Sequence, residues 1–300
     1  MDSGGTMKPN AVYAILGYPV HHSQSPAMHN AAFRELNLAA TYIACEVRPD
    51  DLPVAVSGLR ALGLSGANVT LPHKTAVRPL LDTLTREAQL IGAVNTLFFR
   101  DGALWGDNTD AAGLARALAE GGASLAAARV TVLGAGGAAR AAVVGLARAG
   151  VTEIAILARD PAASAALVTE LGTALAAGGC GLAAGGLDAT TLSSRFAHTD
   201  LLVQATSATL GDTPGARDFA ASLPIKALPD HAIVTDLVYK PLRTTVMAAA
   251  EGRQLRTVDG LGMLLHQGAL AFERWTGRAA PLAVMREALV SSGSCAREAP

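Results

Sequence analysis

Three hundred residues with a net charge of −1 and no basic run leave room for one large or two medium domains with proper cores, and argue against a nucleic-acid surface. Half of the residues are hydrophobic and only 16% are charged, which excludes a disordered chain, and no apolar stretch is long enough to span a bilayer. The three cysteines, Cys45, Cys180 and Cys295, are scattered and show no zinc spacing, so a reducing cytoplasm is expected and a disulfide framework or metal site is not.

The opening residues, MDSGGTMKPN, lack a signal-peptide pattern and read as a flexible lead, with Met7 as an alternative start. AVYAILG, Ala11 to Gly17, is a β run. GYPVHHSQSPAMHN follows, and its Ser25-Pro26 step reads as a helix start, with Ser25 as cap and Met28, Ala32, Phe33 and Leu36 as the apolar face. The free N–H groups and positive end of that helix, with the Ser23 and Ser25 hydroxyls, suit a small carboxylate; plain capping by both serines is the commoner explanation of such a stretch. His21 and His22 sit in the turn. ATYIACEV is a second strand, a helix is expected near Asp51 to Leu62, and SGANVT is a third strand. This alternation predicts a parallel-rich α/β sheet. Two β segments around Asp101-Gly102 predict a type I′ hairpin, adding an antiparallel pair at one edge.

A helix closed by Gly121-Gly122 follows GDNTD, and a domain boundary is expected on it, between Ala111 and Gly122. A second α/β series then begins. Pro161 to Gly186 is helix-compatible until AAGGCGLAAGG, read as a loop leading into a short strand. TDLLVQAT and HAIVTDLVY are further strands, and GLGMLLHQGALAFERWTG is a closing helix.

Two stretches carry chemistry. VTVLGAGGAAR places Gly134, Gly136 and Ala139 in a G-x-G-x-x-A turn that follows a strand and opens a helix, the context a dinucleotide pyrophosphate requires. The next strand ends in Ala158-Arg159-Asp160; Arg159 favours a 2′-phosphate, and hence NADP, while Asp160 would repel it. GANVTLPHK puts Asn68 and Thr70 on one face of a strand, with Lys74 just beyond, near an expected helix start whose macrodipole disfavours a cation and so favours proton transfer. Asp107, Asn108 and Asp110 gather at another helix start, and Asn95 is a polar residue in an apolar β run. Taken singly, Lys74 reads as a solvated surface residue and Asp110 as a cap.

In combination, GYPVHHSQSPAMHN, GANVTLPHK, IGAVNTL, GDNTDAAG, VLGAGGAARA, DLVYKPLRT and DGLGMLLHQGALAFERWTG resemble the shikimate dehydrogenase family, in the family's order and over nearly the whole chain. The resemblance implies two α/β domains with a cleft between them: a substrate domain over residues 1–112, completed by C-terminal helices over 258–300, and a Rossmann-like cofactor domain over 113–257. It implies Lys74 and Asp110 as the catalytic pair. Ser23 and Ser25 would hold the substrate carboxylate, and Asn68, Thr70, Asn95, Tyr239 and Gln267 would surround the rest of the ring. The cofactor would lie along Gly134, Gly136, Gly137, Ala138, Arg159, Thr206, Ser207, Gly260 and Met263. The implied reaction is the reversible reduction of 3-dehydroshikimate to shikimate with NADPH; an NAD-dependent quinate/shikimate dehydrogenase is the alternative. A small-molecule substrate, no nucleic acid, no membrane and a monomer or homodimer complete the expectation. Two positions depart from the family's habit: only the first arginine of its phosphate-binding run is present, and Gln204 replaces the usual asparagine before Ala205-Thr206-Ser207, a change expected to have a small effect.

Overall fold

The computed structural model describes residues 10–295, with side chains to residue 292. The lead with Met7 and the Cys295 side chain lie outside the described residues. Two compact units emerge: one holds the residues up to Ala88, Val94–Asp107 and those from Gly268 onward; the other holds Gln89–Ala93 and Asn108–Gln267.

The chain begins with β1 (Ala11–Gly17), α1 (Ser25–Glu35), β2 (Ala40–Glu46), α2 (Leu52–Ala61), β3 (Gly66–Val69) and the two-residue β4 (Thr83–Leu84). α3 (Arg86–Ile91) carries it into the second unit, and β5 (Thr96–Arg100) and β6 (Ala103–Asp107) return it to the first. The six strands order as β2-β1-β3-β5-β6-β4; β1 runs parallel to β2 and β3, while β5 is antiparallel to both β3 and β6. The expected hairpin is there, with Asp101 (φ 51°) and Gly102 (φ 77°) both left-handed as a type I′ turn demands. It is not at the sheet edge, however, because Thr83–Leu84 adds a short parallel strand outside β6.

Alternation along β1 sorts the core into two faces. Ala14 and Leu16 pack with Leu52, Val56 and Leu59 of α2. Tyr13 points the other way and stacks on Phe33 of α1 at 5.4 Å and on Trp275 at 4.8 Å.

In the second unit follow α4 (Asp110–Glu120), β7 (Arg129–Leu133), α5 (Gly137–Arg148), β8 (Glu153–Ala158), α6 (Pro161–Ala176), β9 (Gly181–Gly186), α7 (Ala189–Phe196), β10 (Leu201–Gln204), α8 (Pro214–Ser222), β11 (Ile233–Asp236), α9 (Thr245–Glu251) and β12 (Arg256–Val258). α10 (Gly260–Thr276) leads back to the first unit, and α11 (Leu282–Cys295) packs there on α1. The strands order as β12-β11-β10-β7-β8-β9, all parallel. Read from β9, that is the 3-2-1-4-5-6 order of a doubly wound dinucleotide-binding sheet, with its switch point between β7 and β10. Of the tail read as a loop before a short strand, only residues 177–180 are turn and loop; GLAAGG is already the strand, forming β9 parallel to β8 from Glu153↔Gly181 to Ala158↔Gly186.

Candidate active site

In the first unit the polar residues gather where β1 and β3 end, the edge at which parallel strands leave backbone groups open to a ligand. Thr70 N–H donates to Leu16 O at 2.9 Å, which docks the GANVTLPHK segment beside the end of β1. The segment is then fixed twice more: buried His73 meets Val47 O through Nε2 at 2.7 Å, and Lys74 O accepts the Val94 N–H at 2.7 Å. No helix starts at Lys74. Turns run from Leu71 to Val77 and only a 3-10 turn over Arg78–Leu80 follows, because Pro72 and Pro79 break the backbone ladder. The macrodipole argument for Lys74 is thereby corrected: what the fold supplies is a half-buried lysine on a rigid turn.

Asn68 is buried, with both of its amide N–H groups hydrogen-bonded. Its Nδ2 donates to Asn95 O at 3.0 Å and to Thr96 Oγ1 at 3.2 Å, and its Oδ1 accepts from Tyr42 OH at 2.8 Å. Asn95, also buried, accepts from Thr96 Oγ1 through Oδ1 at 2.8 Å. The expected cap role of Ser25 is not found: Ser25 is the first residue of α1, Gln24 holds the cap position, and no side chain caps the helix. Ser23 Oγ accepts from Ser25 N–H at 3.3 Å, so the Ser23 hydroxyl keeps its own proton to donate. A helix start with hydroxyls beside it remains a donor set that suits a carboxylate. His21 pairs with Glu46 at 2.8 Å, and among the described residues no group of three or more His, Cys, Asp or Glu side chains could hold a metal.

In the second unit Asp110 is the buried first residue of α4, after Thr109 at the cap position. Its N–H donates to Asn108 Oδ1 at 3.0 Å, while Asn108 Nδ2 donates to Ala93 O at 3.0 Å. Two close approaches set α4 in place. A Cβ at Gly113 would lie 2.8 Å from Gln267 N and Cβ on α10, and one at Gly145 of α5 would lie 2.5 Å from Ala111 O. Backbone therefore meets backbone on two sides of α4, fixing Asp110 against the turn of α10 that bears Gln267.

The glycine turn lies at the switch point. Gly134 adopts φ 116°, a region closed to side chains, and a Cβ there would also meet Thr206 Cγ2 at 3.0 Å. Gly136 is exposed and caps α5 in extended conformation, with open space where its Cβ would stand, and Ala139 is wholly buried. Gly137 and Ala138 form the first turn of α5, whose N–H groups suit a pyrophosphate. Arg159 is exposed; Asp160 accepts the Ala162 N–H through Oδ1 at 3.0 Å and caps α6, so its charge is committed to a helix start.

Beside the glycines, wholly buried Gln204 organises the loop after β10. Its Oε1 accepts from Thr206 N and Oγ1, both at 2.7 Å, and its Nε2 donates to Thr206 O at 3.0 Å and Thr209 Oγ1 at 2.9 Å. The Thr206 hydroxyl is thus engaged within its own loop, and Ser207 is exposed. Asp236, buried at the end of β11, accepts from Val238 N–H at 3.0 Å; burial pushes its carboxyl above the usual range, against the hydrogen bonds of Val238, Thr244, Thr209 and Gln204. Tyr239 is half-buried in the segment beyond. Gly260 opens α10 so close to that segment that a Cβ would lie 2.8 Å from Leu237 O, and Met263 packs into the unit's main core cluster.

Residues 15–97 match the model of the shikimate dehydrogenase substrate-binding domain, and residues 260–290 match that of the shikimate 5'-dehydrogenase C-terminal domain. The shikimate dehydrogenase (NADP(+)) of Moorella thermoacetica is 46% identical over 286 residues, covering 93% of this chain and 94% of that one. The chain belongs to the shikimate dehydrogenase family. The family's fold recurs in the crystal structure of shikimate 5-dehydrogenase from Thermus thermophilus in complex with NADP(H) and shikimate, with TM-score 0.81 and 37% identity over 94% of this chain and 99% of that one. Quinate dehydrogenase from Corynebacterium glutamicum, in complex with NAD, matches with TM-score 0.82 and 30% identity over 94% of this chain and 99% of that one. Of the residues expected on resemblance to the shikimate dehydrogenase family, Ser23, Ser25, Asn68, Thr70, Lys74 and Asn95 lie within the first matched stretch, and Gly260, Met263 and Gln267 within the second. Tyr42 and Thr96 escaped the sequence reading because each looks like an ordinary strand residue. The one signal was that Thr96 follows Asn95, two polar side chains together in an apolar run.

Proposed function

We infer that this protein is an oxidoreductase that reversibly reduces 3-dehydroshikimate to shikimate with NADPH. The observation that carries this is the 46% identity, over 93% of the chain, to a shikimate dehydrogenase (NADP(+)), in a chain that retains Lys74 and Asp110. The glycine turn, the open start of α5 and Arg159 are the residues that would hold NADP, and when bound it supplies the hydride. Arg159 favours the 2′-phosphate, and the capping role of Asp160 lowers the repulsion that residue would otherwise exert.

The remaining chemistry falls to the chain's own side chains. Lys74 supplies a proton to the carbonyl oxygen on reduction and takes it back on oxidation. Asp110 orients the lysine, balances its charge and accepts from a substrate hydroxyl. Ser23 and Ser25 anchor the carboxylate, while Asn68, Thr70, Asn95, Tyr239 and Gln267 read the ring substituents. Substrate recognition belongs to the domain of residues 1–112 with 258–300, and dinucleotide binding to 113–257. The enzyme works in the cytoplasm, as a monomer or homodimer.

The test is a 340 nm assay of the purified protein offering shikimate and quinate, each with NADP⁺ and NAD⁺. The expected result is the highest kcat/KM for shikimate with NADP⁺. Preferred turnover of quinate with NAD⁺ would refute the assignment.

A further inference from the structure

We propose that Thr96 is a positioning residue whose single hydroxyl passes the hydrogen-bonding sense of Asn68 on to Asn95, accepting from the nitrogen of one and donating to the oxygen of the other. The proposal rests on the reading of those asparagines as substrate-binding and deepens it.

The antiparallel register of β3 and β5 places Thr96 directly opposite Asn68, and the chain places it next to Asn95. An asparagine amide has two N–H donors at one end and two lone pairs at the other. For Asn68 the ends are decided by Asn95 O, which accepts at 3.0 Å and admits only the nitrogen at that position. The second N–H goes to Thr96 Oγ1 at 3.2 Å, and the Tyr42 hydroxyl takes one lone pair of Oδ1 at 2.8 Å. Both donors of Asn68 are therefore used, and what it has left is one acceptor lone pair. Toward a ligand it accepts only. It reads a hydroxyl and rejects a carbonyl, so it faces a ring hydroxyl that stays a hydroxyl throughout the reaction.

Thr96 completes the relay. Because its oxygen accepts from Asn68, its proton is free to go to Asn95 Oδ1 at 2.8 Å. That contact turns the oxygen of Asn95 toward Thr96 and its nitrogen away. Tyr42, Asn68, Thr96 and Asn95 thus form one directed chain: hydroxyl to amide oxygen, amide nitrogen to hydroxyl, hydroxyl to amide oxygen. Asn68, Asn95 and Thr96 are buried, so no solvent competes for these bonds. Thr96 acts through its two neighbours.

Steady-state shikimate oxidation with NADP⁺ by the whole enzyme tests this, with Thr96→Val and Thr96→Ser compared. Valine keeps the shape and removes the hydroxyl; serine keeps the hydroxyl. Thr96→Val is expected to raise KM for shikimate about tenfold with KM for NADP⁺ within about twofold, and Thr96→Ser to stay within about threefold of wild type on both. A valine variant with wild-type KM for shikimate, a serine variant no better than valine, or equal losses on both substrates would overturn the proposal. Should the valine variant fail to fold, Tyr42→Phe, which removes only the hydroxyl at the head of the chain, is expected to raise KM for shikimate at least about threefold, again without moving NADP⁺. An unchanged KM there overturns the proposal as well. A wild-type enzyme that oxidises no shikimate defeats the functional reading itself, and is recognised before any variant is measured.

Discussion

His29 lies in the aromatic layer of the first unit, stacked on Tyr42 at 4.5 Å, wholly buried and with neither ring nitrogen hydrogen-bonded. Burial alone lowers its pKa from 6.5 to about 3. The folded state therefore refuses a proton that the unfolded chain accepts. Stability from this group is complete above pH 6.5 and is lost as pH falls toward about 3, at about 1.4 kcal/mol per pH unit. By pH 5 the loss amounts to about 2 kcal/mol. Urea unfolding at pH 7.5 and pH 5 should show His29→Leu losing less stability between the two than wild type, by about that amount. Lys74 tests the chemistry at the same scale. Lys74→Ala is expected to cut kcat by about 10²–10⁴ with little change in KM for shikimate, and near-wild-type kcat in the 340 nm assay would remove it from proton transfer. Individual residues were legible where a motif fixed their type, as for Gly134 or Asn68. The surroundings of Ser25 and Lys74 were not, because a cap and a helix start are decided by one or two backbone angles that residue type only biases.

Among the elements, α4 shows what a residue list omits. GDNTDAAG announces a helix start with a carboxylate, but the reason Gly113 must be glycine is the backbone of Gln267, far along the chain. Gly113→Ala would place its Cβ 2.8 Å from Gln267 N, where only a shift of α10 relieves the overlap. Overpacking of this kind costs about 1–3 kcal/mol. Gly113→Ala is expected to lower the unfolding midpoint and, by displacing Gln267 relative to Asp110, to raise KM for shikimate as well. Gly172→Ala, at an open position inside α6, should leave KM within error and raise the midpoint slightly, since alanine is the better helix former. The long elements were readable from periodicity: β1, β2, α1, α5 and α10 stand where the pattern put them. β9 was not, since GLAAGG has no bulky side chains to alternate and is a strand only because β8 pairs with it. α7, α8 and α9 span seven to nine residues, too few for a helical period to declare itself, although Asp188, Thr213 and Thr244 cap them.

For the whole molecule, cofactor choice is a binding equilibrium linked to stability. At about 100 times its Kd, NADP⁺ should add about 2.7 kcal/mol to the unit that binds it, roughly 5–10 °C in Tm for a unit of this size. NAD⁺ at equal concentration should give a smaller shift, and Arg159→Ala should reduce the NADP⁺ shift while sparing that of NAD⁺. Equal shifts with both dinucleotides in wild type would show that Arg159 does not discriminate. The parallel character of the sheets followed from the alternation of strands and helices, but the strand orders did not, and the return of the chain through α10 was expected only on the family resemblance, because it depends on packing that no local pattern encodes. That path has a consequence for biosynthesis. Tyr13 and Phe33 are covered by Phe272 and Trp275, and α1 by α11, all from residues past Gly268. While a ribosome is still translating the intervening residues, the aromatic face of the nascent N-terminal sheet lacks its cover and is open to association with other chains until the closing helices emerge.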